Sequence, residues 1–249
     1  MNTYQRGDAL IAVCNRSTLY PDAKLPALVR ALQAQVSGEF AAAWGVNAGL
    51  VAIGRDEEPP PGAWQLILLD DPDQAGVLGY HELTADGQPL GKVFVGLDAK
   101  YNVPDGLTAS HELLEMLADS NANTFDRAAN GDFYIREVCD PVNMWWYPIG
   151  KHDDGTPIFG AYFVTPSWFT IGGQPPYAAP SPADQVVSAP FMLAPGLFPG
   201  QGGYIAVVHG TEWVQLQAEN IRARDALAAN YGRRAMRMLP RDQWKRSVA

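Results

Sequence analysis

The stretch Ser110–Asp119, SHELLEMLAD, places one histidine and several carboxylates at helical spacing. Residues four positions apart lie one above the other on a helix, so His111 and Glu115 share a face and Asp119 follows one turn later. A zinc hydrolase needs such ligands, and it needs a base beside the metal-bound water. In the motif H-E-x-x-H both histidines bind zinc and the glutamate is that base. Here Glu112 occupies the base position, and Glu115 replaces the second histidine.

The replacement of histidine by Glu115 is compatible with metal binding, because carboxylate oxygens bind zinc at distances similar to those of imidazole. It makes the site harder and more anionic, so that calcium, magnesium or manganese compete with zinc. We therefore predict a cation bound by His111 and Glu115, with Glu112 as the general base. The alternative is an ordinary acidic helix that contains a histidine, and H-E-x-x-E alone does not exclude it.

The elements before this helix predict the surface on which it packs. Short apolar runs indicate strands, and apolar residues at helical spacing indicate a helix that ends at Gly45. The predicted order is a strand at 8–14, a helix at 21–45, strands at 48–54 and 63–71, two strands within 76–97 and a helix at 105–119. Thr108 or Ser110 is expected to cap the last helix. This order predicts an α+β fold in which helices pack on a mixed sheet.

The order strand, helix, three strands, helix resembles the way in which zincin metallopeptidases present their catalytic helix. The resemblance covers 8–119 and implies a zincin-like core, a bound zinc ion, and hydrolysis of a peptide or protein substrate by metal-activated water. In zincins with a glutamate as third ligand, that glutamate follows the helix. Glu137, in the sequence REVCDP, holds such a position, and Asp140 and Asp119 are alternatives.

A second resemblance covers roughly 95–170. The sequences SHELLEML, EVCDPV and FVTPSWF resemble a group of bacterial and phage proteins to which no activity is attached. This likeness therefore adds no reaction.

Side chains outside the helix are candidates for stabilising an oxyanion or binding substrate. They are Tyr147, His152, Tyr162 and His209. We assign Tyr147 and His152 to substrate binding, while packing or surface roles remain the alternative for all four. His81–Glu82 does not begin a second helical motif, because Gly87 breaks any helix there. We expect it on or near an edge strand that lines a substrate cleft, where an extended peptide would pair.

Composition limits the class of protein. The chain has 249 residues, of which 47% are hydrophobic, enough to bury a sizeable core. Its net charge of −9 argues against a general nucleic-acid binder, which needs a positive surface. No apolar run is long enough to span a membrane, and the first residues lack a signal-peptide pattern. We expect a cytoplasmic or particle-associated protein in which Cys14 and Cys139 are buried free thiols.

The expected organisation is a zincin-like core over 1–125, packed as one unit with a β- and loop-rich C-terminal part over 126–249. Within that part we predict an ordered Pro/Gly-rich loop at 172–203, a hairpin at 202–216 and a helix at 217–239. The long loops and the missing second histidine also support a different class of function. The chain would then be a non-catalytic structural or binding component of a phage or bacterial particle, with protein partners and a structural cation in a degenerate zincin fold.

Overall fold

The computed structural model describes residues 9–74, 77–127, 131–143, 145–169, 177–178, 203–209 and 211–217. The chain divides into two compact units, the first made of Met1–Ala122 and Trp146–Ala161, the second of Asn123–Trp145 and Tyr162–Ala249. The first unit thus includes a segment that the sequence assigned to the C-terminal part. The predicted helix at 217–239 and nearly all of the predicted loop at 172–203 lie outside the described residues.

Helices and mixed sheets are both present, which confirms the predicted α+β class. The helices are α1 (Leu25–Gln35), α2 (Ala41–Trp44), α3 (Val95–Tyr101), α4 (Leu107–Ala118) and α5 (Pro166–Phe169). The strands are β1 (Ala9–Asn15), β2 (Ala48–Ile53), β3 (Trp64–Leu69), β4 (Gly79–Leu83), β5 (Pro89–Phe94), β6 (Phe125–Arg127), β7 (Phe133–Ile135), β8 (Trp146–Lys151), β9 (Pro157–Ala161), β10 (Phe163–Val164), β11 (Tyr177–Ala178), β12 (Tyr204–His209) and β13 (Glu212–Gln217).

The first unit is built on a five-stranded sheet with the strand order β2-β1-β3-β5-β4. β1 pairs in parallel with β2 and β3, and β3 pairs in parallel with β5. β4 runs antiparallel to β5 at the edge of the sheet, so the sheet is mixed, as predicted. His81 lies on β4, which confirms the prediction that it belongs to an edge strand.

A buried hydrogen-bond network joins α1 and α4 on the same face of this sheet. The Ser110 hydroxyl donates to Gln35 Oε1 (2.7 Å) and accepts from the amide of Ala161 (2.9 Å). Gln35 Nε2 donates to the Ala161 carbonyl and the Tyr147 hydroxyl, both at 3.0 Å. Ser110 is fully buried and Gln35 is 1% exposed. Because Ser110 directly precedes His111, the network fixes the rotation of the helix that presents the candidate metal ligands.

The start of α4 differs from the prediction. Gly106 is the N-cap and has a φ of 87°, a left-handed conformation that glycine adopts readily. A Cβ at this position would lie 2.7 Å from Cγ2 of Ile158, so space also requires glycine. The prediction that Thr108 or Ser110 caps the helix is wrong, because the helix begins earlier, at Leu107, and both hydroxyls bond to side chains of neighbouring helices.

The second unit contains an antiparallel sheet with the order β13-β12-β7-β6. β12 and β13 form the predicted hairpin, and the rings of Phe125 and Trp213 pack edge to face with centroids 5.6 Å apart. The strand predicted at 133–140 is shorter than expected and ends at Ile135. The chain then enters a 3-10 turn, Asp140–Val142, whose second residue is a proline that cannot donate to a sheet.

No helix among the described residues is long and apolar enough to cross a membrane. Cys14 and Cys139 are buried and are not joined in a disulfide, as predicted. Burial raises the pKa of the Cys14 thiol, which keeps that group neutral and poorly reactive.

The substitution Ser110→Ala tests the network that joins α1 and α4. It leaves Gln35 Oε1 and the Ala161 amide without the hydroxyl that they bond in the buried interior. We expect the free energy of unfolding, measured by urea denaturation, to fall by about 1–3 kcal/mol. Ser37→Ala is the control, because Ser37 also makes side-chain hydrogen bonds but is exposed, and its effect should stay within about 0.5 kcal/mol. Equal effects of the two substitutions would contradict the role of the network.

Candidate metal centre

The face of α4 that carries the predicted ligands is largely buried in the first unit. Glu112 is 6% exposed, Glu115 is 3% exposed, and the His111 side chain is 17% exposed. These residues fall within one long helix whose leucines face the core, so the helix and the sheet beneath it hold their positions. The sequence motif therefore does not lie on a solvated acidic surface, while metal binding by this helix stays a prediction.

Glu115 lies between two imidazoles. Its Oε1 is 3.3 Å from Nε2 of His111, one turn earlier on the same helix. Its Oε2 is 3.9 Å from Nδ1 of His81, which comes from the edge strand β4. The same Nδ1 is 3.9 Å from Oε2 of Glu112. We call His81, His111, Glu112 and Glu115 the His–Glu cluster.

The alternation of the β4 strand aims His81 at α4. Successive side chains of a strand point to opposite faces, so Gly79 and His81 share the face that α4 covers. The approach of the helix is close, because a Cβ at Gly79 would lie 2.8 Å from Cγ of Glu112. The partner of His81 in the ladder is another glycine, Gly91. Glycines at these two positions leave the room that the Glu112 side chain and the His81 ring occupy.

The separations within the cluster suit a zinc ion. Zinc bound tetrahedrally by imidazole and carboxylate at about 2.0–2.2 Å separates neighbouring ligand atoms by roughly 3.3–3.5 Å. The contact between His111 and Glu115 is 3.3 Å, within that range, and the contact between His81 and Glu115 is a few tenths of an ångström longer. The two imidazoles approach different oxygens of Glu115, so a single cation would contact both nitrogens only after these side chains turn toward it.

The negative charge of the buried carboxylates in the His–Glu cluster needs compensation. Removing two carboxylates from water is costly unless positive charge compensates them. His81, at 1% exposed, is as deeply buried as the carboxylates that flank it. Protonation of the imidazoles, protonation of the carboxyl groups or a divalent cation would each supply this compensation.

Asp119, a predicted ligand, follows the helix rather than belonging to it. It caps the C-terminus with φ −127° and ψ 72°, and its amide donates to the Glu115 carbonyl at 2.7 Å. The expected position one helical turn beyond Glu115 therefore does not apply to its side chain. Asp119 is 1% exposed, and its role as a ligand stays a prediction.

The predicted ligands Glu137 and Asp140 belong to the second unit. Both are buried, at 4% exposed each. Asp140 accepts a hydrogen bond of 2.6 Å from the Tyr204 hydroxyl, which gives this carboxylate a structural role inside its own unit. Metal binding by Glu137 or Asp140 stays a prediction.

The other predicted site residues lie in separate environments. The Tyr147 hydroxyl accepts from Gln35, so this side chain packs against α1. Nε2 of His152 lies 2.6 Å from Oδ2 of Asp105, a residue just before α4. Tyr162 packs against Trp145 in the second unit, with ring centroids 5.8 Å apart, and the side chain of His209 is outside the described residues. The assignment of Tyr147 and His152 to substrate binding stays a prediction.

Sequence reasoning missed His81 as a member of the cluster. It identified the edge strand correctly and rejected a second helical motif at His81–Glu82, but it placed His81 at a substrate cleft and not among the ligands. The available signal was the pair of small residues at Gly79 and Gly91, which marks the place where another element approaches the sheet closely. A histidine in register with such a glycine faces that approaching element.

Comparison with known proteins adds no relative. No family model, curated protein or solved structure matches this chain. The chemistry of the cluster therefore has to be argued from its own residues.

Proposed function

We propose that His81, His111 and Glu115 bind a zinc ion, and that the protein uses it to hydrolyse peptide bonds. The observation that carries this proposal is the position of the Glu115 carboxylate between two imidazoles, at 3.3 and 3.9 Å. Under this proposal His81 of β4 takes the place of the histidine that the H-E-x-x-E sequence lacks, once the side chains turn toward a shared ion. Glu137 remains a predicted further ligand.

Glu112 is the residue that we propose as general base. A zinc ion supplies a polarised carbonyl and a water of lowered pKa. The carboxylate of Glu112 lies beside His81, and so at the edge of the proposed ligand set. From there it would accept the proton of the attacking water and later deliver a proton to the leaving amine. Its burial limits competing bulk water.

The edge strand β4 supports a peptide as the substrate. A sheet edge offers backbone donors and acceptors, and an extended peptide pairs with such an edge. β4 is the last strand in the order of its sheet, and it carries His81. A peptide that pairs along β4 would therefore pass close to the proposed ligand set.

The deep burial of the cluster favours a second candidate, a structural cation. Catalytic zinc sites keep an open coordination position, whereas structural sites are closed. Three of the four residues of the His–Glu cluster are 6% exposed or less, and only His111 is more open. In this second reading the cation joins β4 to α4 and the protein is a structural or binding component with no hydrolytic activity.

Zinc binding is tested by competition with a chromophoric chelator on the full chain. We expect one zinc ion per chain, and at least about tenfold weaker binding in His81→Ala, His111→Ala and Glu115→Ala, because each removes a direct ligand. Glu82→Gln is the matched control, since Glu82 is on the same strand but faces away, toward Lys92 at 3.2 Å. Wild-type affinity in His81→Ala would contradict the proposed ligand set.

Glu112→Gln separates the two candidate functions. If Glu112 is the base, cleavage of a quenched peptide library should slow by about 10²–10⁴-fold while the zinc content stays at one per chain. The substitution keeps the size of the side chain, so circular dichroism should be unchanged. Zinc binding without any cleavage in the wild type would instead support the structural cation, and unchanged cleavage in Glu112→Gln would exclude Glu112 as the base.

A further inference from the structure

A cavity of about 240 Å³ lies in the first unit and does not include any residue of the His–Glu cluster. For comparison, an engineered apolar cavity of about 150 Å³ binds benzene. Most of the wall of the cavity in this protein is apolar. The apolar side chains are those of Leu19, Leu28, Leu68, Val93, Val95 and Val103. The cavity is therefore large enough for a small organic molecule with an aliphatic part.

The position of the cavity in the fold is that of a ligand site. Leu68 comes from the end of β3, and Val93 from the end of β5, two parallel strands. Leu19 and Tyr20 come from the loop that follows β1. The chain leaves β1 for β2 on one side, and β3 lies on the other side, so the strand order reverses there. Ligands of open α/β sheets bind at the carboxyl ends of the strands at such a point.

The polar groups of the cavity are mainly acidic. Asp98 and Asp105 both line it, and Tyr20 contributes a hydroxyl. Tyr20 is 7% exposed, and its hydroxyl makes no hydrogen bond of normal geometry with the described residues. Burial raises the pKa of Tyr20, and the Asp105 carboxylate is close enough to raise it further. A buried phenol of this kind offers a hydrogen bond to a ligand.

The carboxyl groups of Asp98 and Asp105 each contact a polar side chain. Asp98 accepts a hydrogen bond of 2.7 Å from Thr108, and Asp105 lies 2.6 Å from Nε2 of His152. Burial of the Asp98 carboxyl raises its pKa to about 8, against the Thr108 hydrogen bond and with a further contribution from the charge on Asp105. The cavity without a ligand thus penalises negative charge at Asp98, and a cation would remove that penalty.

We propose that this cavity binds a small primary alkylammonium ion, with the ammonium group between Asp98, Asp105 and the Tyr20 hydroxyl and the alkyl chain against the aliphatic wall. The ammonium donates to the two carboxylates and to the phenol oxygen, and it compensates charge that the fold otherwise holds at a cost. The proposal does not rest on zinc binding or hydrolysis, because the cavity and the His–Glu cluster have no residue in common.

An anionic ligand is the main competitor. The N-termini of α1 and α4 lie at the cavity, and a helix N-terminus favours negative charge. Lys24 also lines the cavity, but its ammonium lies 3.9 Å from the Asp154 carboxylate and its side chain is 37% exposed, which places that charge at the mouth. Asp105, directly before α4, already compensates the dipole of that helix and disfavours a further anion, and Asp98 does so once it is ionised above about pH 8.

The test compares n-butylamine with n-butanol and butyrate on the full wild-type chain, by isothermal titration calorimetry near pH 9, where Asp98 is mostly ionised and the amine is still mostly protonated. We expect saturable binding of the amine, at least about tenfold tighter than that of the alcohol or the acid. Preferred binding of butyrate, equal binding of all three, or no binding of the amine would overturn the proposal.

Asp98→Asn checks the site with a readout that also reports folding. The substitution should weaken amine binding at least about tenfold, whereas Asp71→Asn, on the exposed chain after β3, should not. The raised pKa means that neutral Asp98 stabilises the fold below about pH 4 and that this stability is lost as the pH rises through about 8. Asp98→Asn should therefore melt at a higher temperature than the wild type near pH 9 and lose this advantage near pH 4. Undiminished amine binding in a folded Asp98→Asn protein would overturn the proposal.

Discussion

The rotation of α4 about its own axis is the constraint on which the rest of the first unit depends. The buried hydrogen bonds of Ser110 with Gln35 and with the Ala161 amide fix that rotation. Since neighbouring positions on a helix are about 100° apart, a modest rotation would turn Glu115 away from His81. The network uses side chains from α1 and α4 and the backbone of β9, so the geometry of the His–Glu cluster follows from the packing of several elements and not from the motif alone.

Buried carboxyl groups recur in the first unit. Their burial lowers the stability of the folded chain, and the same burial would favour the binding of a cation. Glu112 and Glu115 are removed from water beside His81, and the burial of Asp98 raises its pKa to about 8. Each arrangement costs free energy, and a cation of suitable chemistry would offset that cost. A zinc ion and a small ammonium ion would both stabilise the folded chain by binding to it in preference to the unfolded chain.

Sequence reasoning reached the local features and missed those that depend on tertiary approach. Apolar runs and helical spacing predicted α4, the first five strands and the edge position of β4, because these features are encoded within short segments. The predicted N-cap of α4 was wrong, since Thr108 and Ser110 find partners on other helices, and the partner of Ser110, Gln35, is 75 positions away in sequence. His81 was missed for the same reason, because its neighbours are set by an antiparallel strand and by a helix that crosses it.

The most direct test of the metal centre is X-ray absorption at the zinc edge of the zinc-loaded full chain. This measurement counts imidazole ligands through their characteristic scattering and does not depend on any substrate. Our account predicts two imidazoles in the first shell, from His81 and His111, and one imidazole in the zinc-loaded His81→Gln protein. A wild-type spectrum with a single imidazole, unchanged by His81→Gln, would contradict the central claim that β4 supplies the ligand missing from the helix.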